Sequence, residues 1–180
     1  AILAIQVLFI VIYSFASLLP YQPLKRMPSK VAYSKIKVFI PGYKEDRIIV
    51  DTAQRALEQS YPKDHYEVIV LADSFNAETL KELRELDITV LEVQFENSTK
   101  AKSLNKGIEY ASSDLPDLAV ILDSDNVMSH DFLEKINRAF QAGNRVIQGH
   151  RTAKNQQTSF ALLDAINEEI SNSIFRKGHR

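Results

Sequence analysis

The sequence predicts an α/β domain: a mostly parallel sheet with helices on both faces, preceded by an N-terminal transmembrane helix. Three observations carry that expectation. Short apolar runs alternate with helical periodicities from residue 35 onward, the pattern of repeated strand–helix–strand units. Polar residues gather directly after several of those runs, where ligands collect in sheets of this kind. The first 19 residues are apolar except for Gln6, Ser14 and Ser17.

As a helix, residues 1–19 would span about 28 Å, close to the roughly 30 Å of a bilayer's hydrocarbon. A secretory signal or a buried core helix are the alternatives. Signal h-regions are shorter than this, and the segment has no polar face to lie along a surface. Lys25, Arg26, Lys30, Lys35 and Lys37 follow, with no acidic residue before them. That flank places the rest of the chain on the cytoplasmic side of a membrane. Pro20, Pro23 and Pro28 make residues 20–34 a basic, extended linker.

The strand candidates are Ile36–Ile40, Val68–Ala72, Ile88–Val93, Leu118–Leu122 and Arg145–Gln148. Between them Ile49, Ala53, Ala56 and Leu57 fall on one helical face, as do Leu80, Leu83 and Leu86, and then Phe132, Leu133, Ile136, Ala139 and Phe140. A last helical pattern, Thr158–Phe175, carries Phe160, Leu163, Ile166, Ile170 and Ile174.

Composition narrows the chemistry. The 180 residues include no cysteine, which excludes disulfide scaffolds, thiolate metal sites and cysteine nucleophiles. The four histidines lack metal-ligand spacing, and a net charge of −1 argues against a nucleic-acid partner. Beyond Lys37 the balance is 17 basic to 23 acidic residues, so the domain proper is acidic.

Asp123 and Asp125 are the sharpest chemical signal. At a strand end, residues i and i+2 project to one side, so both carboxylates can face one ion. Mg²⁺ or Mn²⁺ is commonly held by one or two carboxylates, with phosphates and water completing the shell. The alternative is a plain strand terminus or a cap for the helix near His130. Asp73 closes another run and suits a base or ribose, or else a turn or helix cap. Lys100 enters a helical pattern, where a lysine joins free backbone amides in attracting phosphate, or forms part of a solvated basic patch. Glu168 and Glu169 read as a solvated helix face and His150 as structural.

The order Pro-x-Tyr-x-Glu, strand-end Asp, Lys-Ala-x-x-Leu-Asn, strand-end Asp-x-Asp and Gln-Gly-x-Arg resembles the membrane-bound, processive branch of family 2 glycosyltransferases over residues 35–176. The resemblance implies the Rossmann-like GT-A fold, with residues 35–180 as the nucleotide-sugar-binding part of a domain truncated at its C-terminus. It implies a metal-dependent, inverting transfer from a nucleotide-diphosphate sugar, UDP-linked, to a carbohydrate or lipid-linked acceptor hydroxyl. Pro41, Tyr43 and Glu45 would line the base and ribose; Asp73, Lys100, Asn105 and Asp123 would complete the donor site. Asp123 and Asp125 would bind Mn²⁺ or Mg²⁺. Gln148, Arg151 and Asn155, with Gly149 and Lys154, would face the acceptor.

Three positions depart from the family pattern. Ala72-Asp73-Ser74 stands for Asp-Asp-Gly, Thr99 for Gly, and Ser103 for Ala. The family's catalytic carboxylate motif and its Gln-x-x-Arg-Trp are absent up to Arg180, so the base is expected beyond it. Two other readings compete. Asp123 and Asp125 also fit the nucleophile and acid/base of haloacid-dehalogenase-like phosphatases, and the chain could be a non-catalytic nucleotide-sugar-binding module.

Overall fold

The computed structural model describes residues 2–19, 32–150, 152, 159–170 and 172. They fall into two compact units, Met27–Asn144 and a second made of Ala1–Arg26 with Arg145–Arg180. The first unit holds a sheet of β1 (Ile36–Tyr43), β2 (Tyr66–Asp73), β3 (Thr89–Val93) and β4 (Leu118–Ile121) in the order β3-β2-β1-β4. All three pairings are parallel. Between the strands lie α2 (Ile49–Ala56), α3 (Ala77–Arg84) and α4 (Lys100–Ala111), and α5 (Phe132–Gln141) follows β4. The α1 helix (Ile2–Leu18) and α6 (Ser159–Ile170) belong to the second unit.

The expected parallel sheet covered on both faces is present. Alternation along β1 and β2 sorts their side chains between two layers. Ile36, Val38, Ile40, Val68, Val70 and Ala72 face the larger core with Ile49, Ala53 and Ala56 of α2, Leu83 of α3 and Leu133 of α5. Phe39, Ile69 and Leu71 face the smaller core beside Leu104 and Ala111 of α4. Gly107 makes that second layer possible. A Cβ there would lie 2.8 Å from the Phe39 ring and 3.1 Å from Leu71, so only glycine lets α4 sit this close to the sheet.

Charged groups close the amino end of the smaller core. The Lys37 side chain, 3% exposed, pairs with Glu67 at 3.1 Å and Asp114 at 3.5 Å. Glu67 also accepts from Thr89 Oγ1 at 2.6 Å and from the Tyr110 hydroxyl at 3.2 Å. Burial works to raise the Glu67 pKa, but the Thr89 bond and the Lys37 ammonium outweigh it and hold the carboxyl below its ordinary value. Burial likewise works to lower Lys37, and Glu67 and Asp114 together hold it above its ordinary value.

Buried polar groups anchor the chain as it enters β1. Tyr61 donates to the Ser34 carbonyl at 2.8 Å, and burial pushes its phenol up to about 12. Asn137 of α5, fully buried, donates to the Ala32 carbonyl at 2.9 Å.

Two expectations are corrected. Residues 145–148 form bends and irregular chain rather than a fifth strand. Only Val146 and Ile147 are apolar there, and Val146 is 93% exposed, so nothing buries the run. The expected span over 1–19 is realised as a 17-residue helix with no buried residue. At 1.5 Å per residue this is about 26 Å. Among the described residues no helix is long and apolar enough to cross a membrane. Most of the basic linker, residues 20–31, lies outside the described residues.

Two outcomes test this packing. Gly107→Val is expected to destabilise the protein by about 1–3 kcal/mol in urea denaturation, because the added carbons meet Phe39 and Leu71; an unchanged midpoint would refute the close approach. Ionised Glu67 contributes stability that is complete above its ordinary pKa of about 4.3 and is lost as pH falls through its lowered value. Glu67→Gln is therefore expected to be less stable than the parent at pH 7, with the deficit shrinking below about pH 4. A deficit that stays constant down to acid would contradict the ion-pair account.

Candidate functional site

The strand order reverses beside β1: the chain runs outward through β2 and β3, then returns to pair β4 on the other side. Open α/β sheets bind ligands at such a reversal, beyond the carboxyl ends of the strands. A cleft of about 440 Å³ opens there. Pro41, Gly42, Tyr43 and Glu45 line it from the end of β1, Asp73 from β2, and Asp123, Ser124 and Asp125 from beyond β4. Ser98, Thr99, Lys100 and Ser103 close it from the start of α4.

The loops that carry these residues are held individually. After β4, Leu122 N–H continues the ladder to the Phe39 carbonyl at 3.0 Å, and Asn126 N–H closes a turn on the Asp123 carbonyl at 3.0 Å. Ser124 turns inward between the two aspartates, and its carbonyl accepts from Thr52 Oγ1 of α2 at 2.5 Å. Asp123 and Asp125 thus stay outward on one short turn. Neither caps the following helix: its N-cap is Asp131, and the Gln59 side chain accepts from Leu133 N–H at 3.2 Å.

The ends of β1 and β2 are joined across the sheet. Lys44 N–H donates to the Asp73 carbonyl at 3.1 Å, and Asn76 N–H donates to Asp46 Oδ1 at 2.9 Å. That amide holds the Asp46 carboxyl below its ordinary value. Lys44 and Ser74 both adopt the left-handed region, with φ of 53° and 59°, a conformation that costs a side-chain-bearing residue strain. A Cβ on Gly42 would lie 2.6 Å from the Phe75 ring, so the Ser74 turn packs directly on β1.

Asp73 sits at the base of the cleft, 1% exposed. Its Oδ1 accepts from Ser74 Oγ at 2.9 Å, whereas the buried Oδ2 has no hydrogen-bond partner. The alternative of a helix cap is removed, since α3 is capped by Asn76, which accepts from Thr79 N–H at 2.8 Å. A buried acceptor without a donor is costly unless a ligand supplies one. Lys100 is the first residue of α4, after Thr99, whose Oγ1 accepts from Lys102 N–H at 3.3 Å. Its ammonium lies against Asp123 Oδ1, while Asn126 Nδ2 approaches Asp123 Oδ2 at 3.4 Å.

Seven sequence candidates therefore meet in one cleft: Pro41, Tyr43, Glu45, Asp73, Lys100, Asp123 and Asp125. Asn105 is exposed on α4 and outside the cleft lining. Gln148 is exposed in the second unit, and Arg151, Lys154 and Asn155 lie outside the described residues. His150, read as structural, faces Glu169 at 3.4 Å and Asn172 at 3.2 Å. Sequence patterns missed Gly42, whose signal is the Pro-Gly at a strand end, and Thr52, whose role depends on a partner 72 residues away.

Among the described residues no cluster of three or more acidic or histidine side chains could cage a metal. Two carboxylates on one turn beside an open cleft suit an ion that completes its shell from a bound ligand and water.

This arrangement, a parallel sheet with acidic groups at its switch point, defines an open α/β domain with a ligand-sized cleft at its carboxyl edge. The chain belongs to glycosyltransferase family 2: residues 37–178 match that family's model, described as glycosyl transferase family 2. Among solved structures it is similar to the mannosyltransferase PcManGT from Pyrobaculum calidifontis in complex with GDP-Man and Mn²⁺. That similarity has 24% identity and a TM-score of 0.52, and covers 79% of this chain and 44% of the other. It is also similar to S. aureus TarS 1–349 in complex with UDP, at 19% identity and a TM-score of 0.51, covering 68% of this chain and 43% of that one. The chain thus spans less than half the length of these relatives, and they share its GT-A-like fold. No curated protein matches it significantly.

Thr52→Val removes the hydrogen bond to Ser124 while conserving shape. It is expected to cost about 1–3 kcal/mol, because the Ser124 carbonyl loses its donor, and Thr52→Ser is expected to restore most of that. Denaturation of both variants reads the difference; equal losses would assign the effect to packing.

Proposed function

We propose that the cleft binds a nucleoside-diphosphate sugar with a divalent metal, and that the protein transfers the sugar to an acceptor hydroxyl with inversion. The observation that carries this reading is the buried, unpartnered Oδ2 of Asp73 at the base of a cleft whose mouth bears Asp123 and Asp125. A base or ribose donor group suits the first; a metal-bridged diphosphate suits the second. The solved relatives crystallised with GDP-Man and Mn²⁺ and with UDP support the same assignment.

In this reading Tyr43 and Pro41 flank the nucleoside, Glu45 and Asp73 accept its hydrogen bonds, and Lys100 approaches the phosphates. Asp123 and Asp125 hold Mn²⁺ or Mg²⁺, which when bound neutralises charge on the departing diphosphate. The acceptor oxygen loses its proton to a general base and bonds to the anomeric carbon. The bond from that carbon to the phosphate oxygen breaks on the opposite face, and the nucleoside diphosphate leaves. Gln148, Arg151 and Asn155 serve the acceptor side. The donor is UDP-linked, and the acceptor is carbohydrate or lipid-linked. Membrane attachment through α1, with the domain on the cytoplasmic side, is part of the proposal, supported by 17 consecutive residues without charge and the basic residues that follow. The phosphatase alternative is not favoured, because its Asp-x-Asp opens the first strand of its domain, whereas Asp123 follows β4.

Calorimetric titration with UDP and GDP, with and without Mn²⁺, tests the assignment. Metal-dependent binding of UDP is expected. Asp125→Asn is expected to remove most of the metal dependence, and Asp73→Ala to weaken UDP about tenfold or more with or without metal. Absence of any metal-dependent nucleotide binding would sink the proposal, and tighter GDP binding would overturn the uridine assignment.

A further inference from the structure

The contact between Lys100 and Asp123 bears on how the proposed donor site is loaded. Of the ionisable side chains that line the cleft, four are carboxylates (Glu45, Asp73, Asp123 and Asp125), and Lys100 is the one ammonium among the described residues. It lies against Asp123, one of the two carboxylates of the proposed metal pair. The two partners differ in freedom. Asp123 sits on a turn pinned by Thr52 and by its own carbonyl's bond to Asn126 N–H. Lys100 projects on a flexible stem from the first position of α4, where only its backbone is fixed. The side chains are 51% and 38% exposed, so water screens the pair and the lysine can leave it at little cost.

We propose that Lys100 is an exchangeable counter-ion: its ammonium and a divalent cation compete for Asp123, and the ammonium passes to the donor's phosphates when the metal takes the carboxylate. This rests on the donor-site reading above and adds an order of loading to it. Without nucleotide, a metal has to displace the ammonium and enter beside its charge, so metal alone binds weakly. A diphosphate offers the ammonium a new partner and frees Asp123 for the metal. Each ligand therefore raises the affinity of the other, beyond their direct bond. The helix N-terminus reinforces the exchange, since the free amides around Ser98, Thr99 and Lys100 favour an anion where the ammonium moves. The lysine thus acts as a positioning residue for both ligands and also suppresses metal binding in the absence of donor.

The experiment is a Mn²⁺ titration of the full chain without nucleotide, read by the electron paramagnetic resonance signal of free Mn²⁺, and repeated with saturating UDP. Lys100→Met and Lys100→Gln are compared with the parent. Lys106→Met is the control: it removes the same charge from the same helix, where Lys106 pairs with Glu109 outside the cleft. Lys100→Met and Lys100→Gln are expected to tighten Mn²⁺ alone about fivefold or more, and to shrink the factor by which UDP tightens Mn²⁺. Lys106→Met is expected to leave both quantities as in the parent. Equal or weaker Mn²⁺ binding in the Lys100 variants overturns the exchange while leaving the donor site intact. An equal gain in Lys106→Met overturns it in favour of general electrostatics. Failure of every variant and the parent to bind Mn²⁺, with or without UDP, overturns the donor-site reading together with the exchange.

Discussion

The placement of β1 between β2 and β4 is the constraint on which the rest of the molecule depends. Its register sets Tyr43 opposite Asp73, and its shorter pairing with β4 stops at Phe39 opposite Ile121. Because β4 ends four residues before β1 does, the chain leaving β4 turns beside a strand that continues past it. That step in length opens the cleft floor, which Pro41, Gly42 and Tyr43 line on the side β4 has vacated. Parallel pairing with long crossovers also puts every strand's carboxyl end on the same edge. The acidic groups converge there because the topology leaves them no other edge.

Two devices keep that edge ordered. One is hydrogen bonding between loops distant in sequence: Thr52 to Ser124, Asn76 to Asp46, and Lys44 to Asp73. The other is conformational strain at Lys44 and Ser74, both left-handed and immediately after paired strand ends. Strain of this kind persists only where the surroundings over-determine the backbone. Phe75 packed on Gly42 is the part of those surroundings that the structure makes visible. Ser74 occupies a place where glycine would be unstrained, and its hydroxyl bonds Asp73 Oδ1, which leaves Oδ2 as the acceptor available to a ligand.

Much of this was legible from pattern alone. Apolar runs located four strands; β1 and β2, buried along nearly their whole length, need the consecutive apolar residues that mark such a strand. The run at Arg145–Gln148 misled because two apolar residues satisfy the pattern without a neighbouring strand to pair them. Strand-end position also located Asp73, Asp123 and Asp125. Side-chain partners at long range were not legible. Nothing in the periodicity of α5 distinguishes Asn137, a polar residue inside an apolar stripe, until its amide is seen on the Ala32 carbonyl. Nor does any local pattern pair Lys100 with Asp123, since their meeting depends on where α4 starts relative to β4.

The two ends of the sheet show why charge alone does not mark a site. At the amino end, Lys37 lies 3.1 Å from Glu67 and 3.5 Å from Asp114, and it is more deeply buried than Lys100. Yet there each charge has an opposite charge, and Glu67 has two hydroxyl donors besides. The cluster is complete within the protein, so it can stabilise the fold but has nothing left to offer a ligand. At the carboxyl end, four carboxylates share one ammonium among the described residues, and the most buried of them keeps an oxygen without a donor. The same residue types therefore serve opposite purposes, and what separates them is whether the fold itself satisfies their electrostatic demand. A site that is left in deficit of positive charge suits a ligand that brings cations and donors with it, as the proposed metal-bound nucleoside diphosphate would.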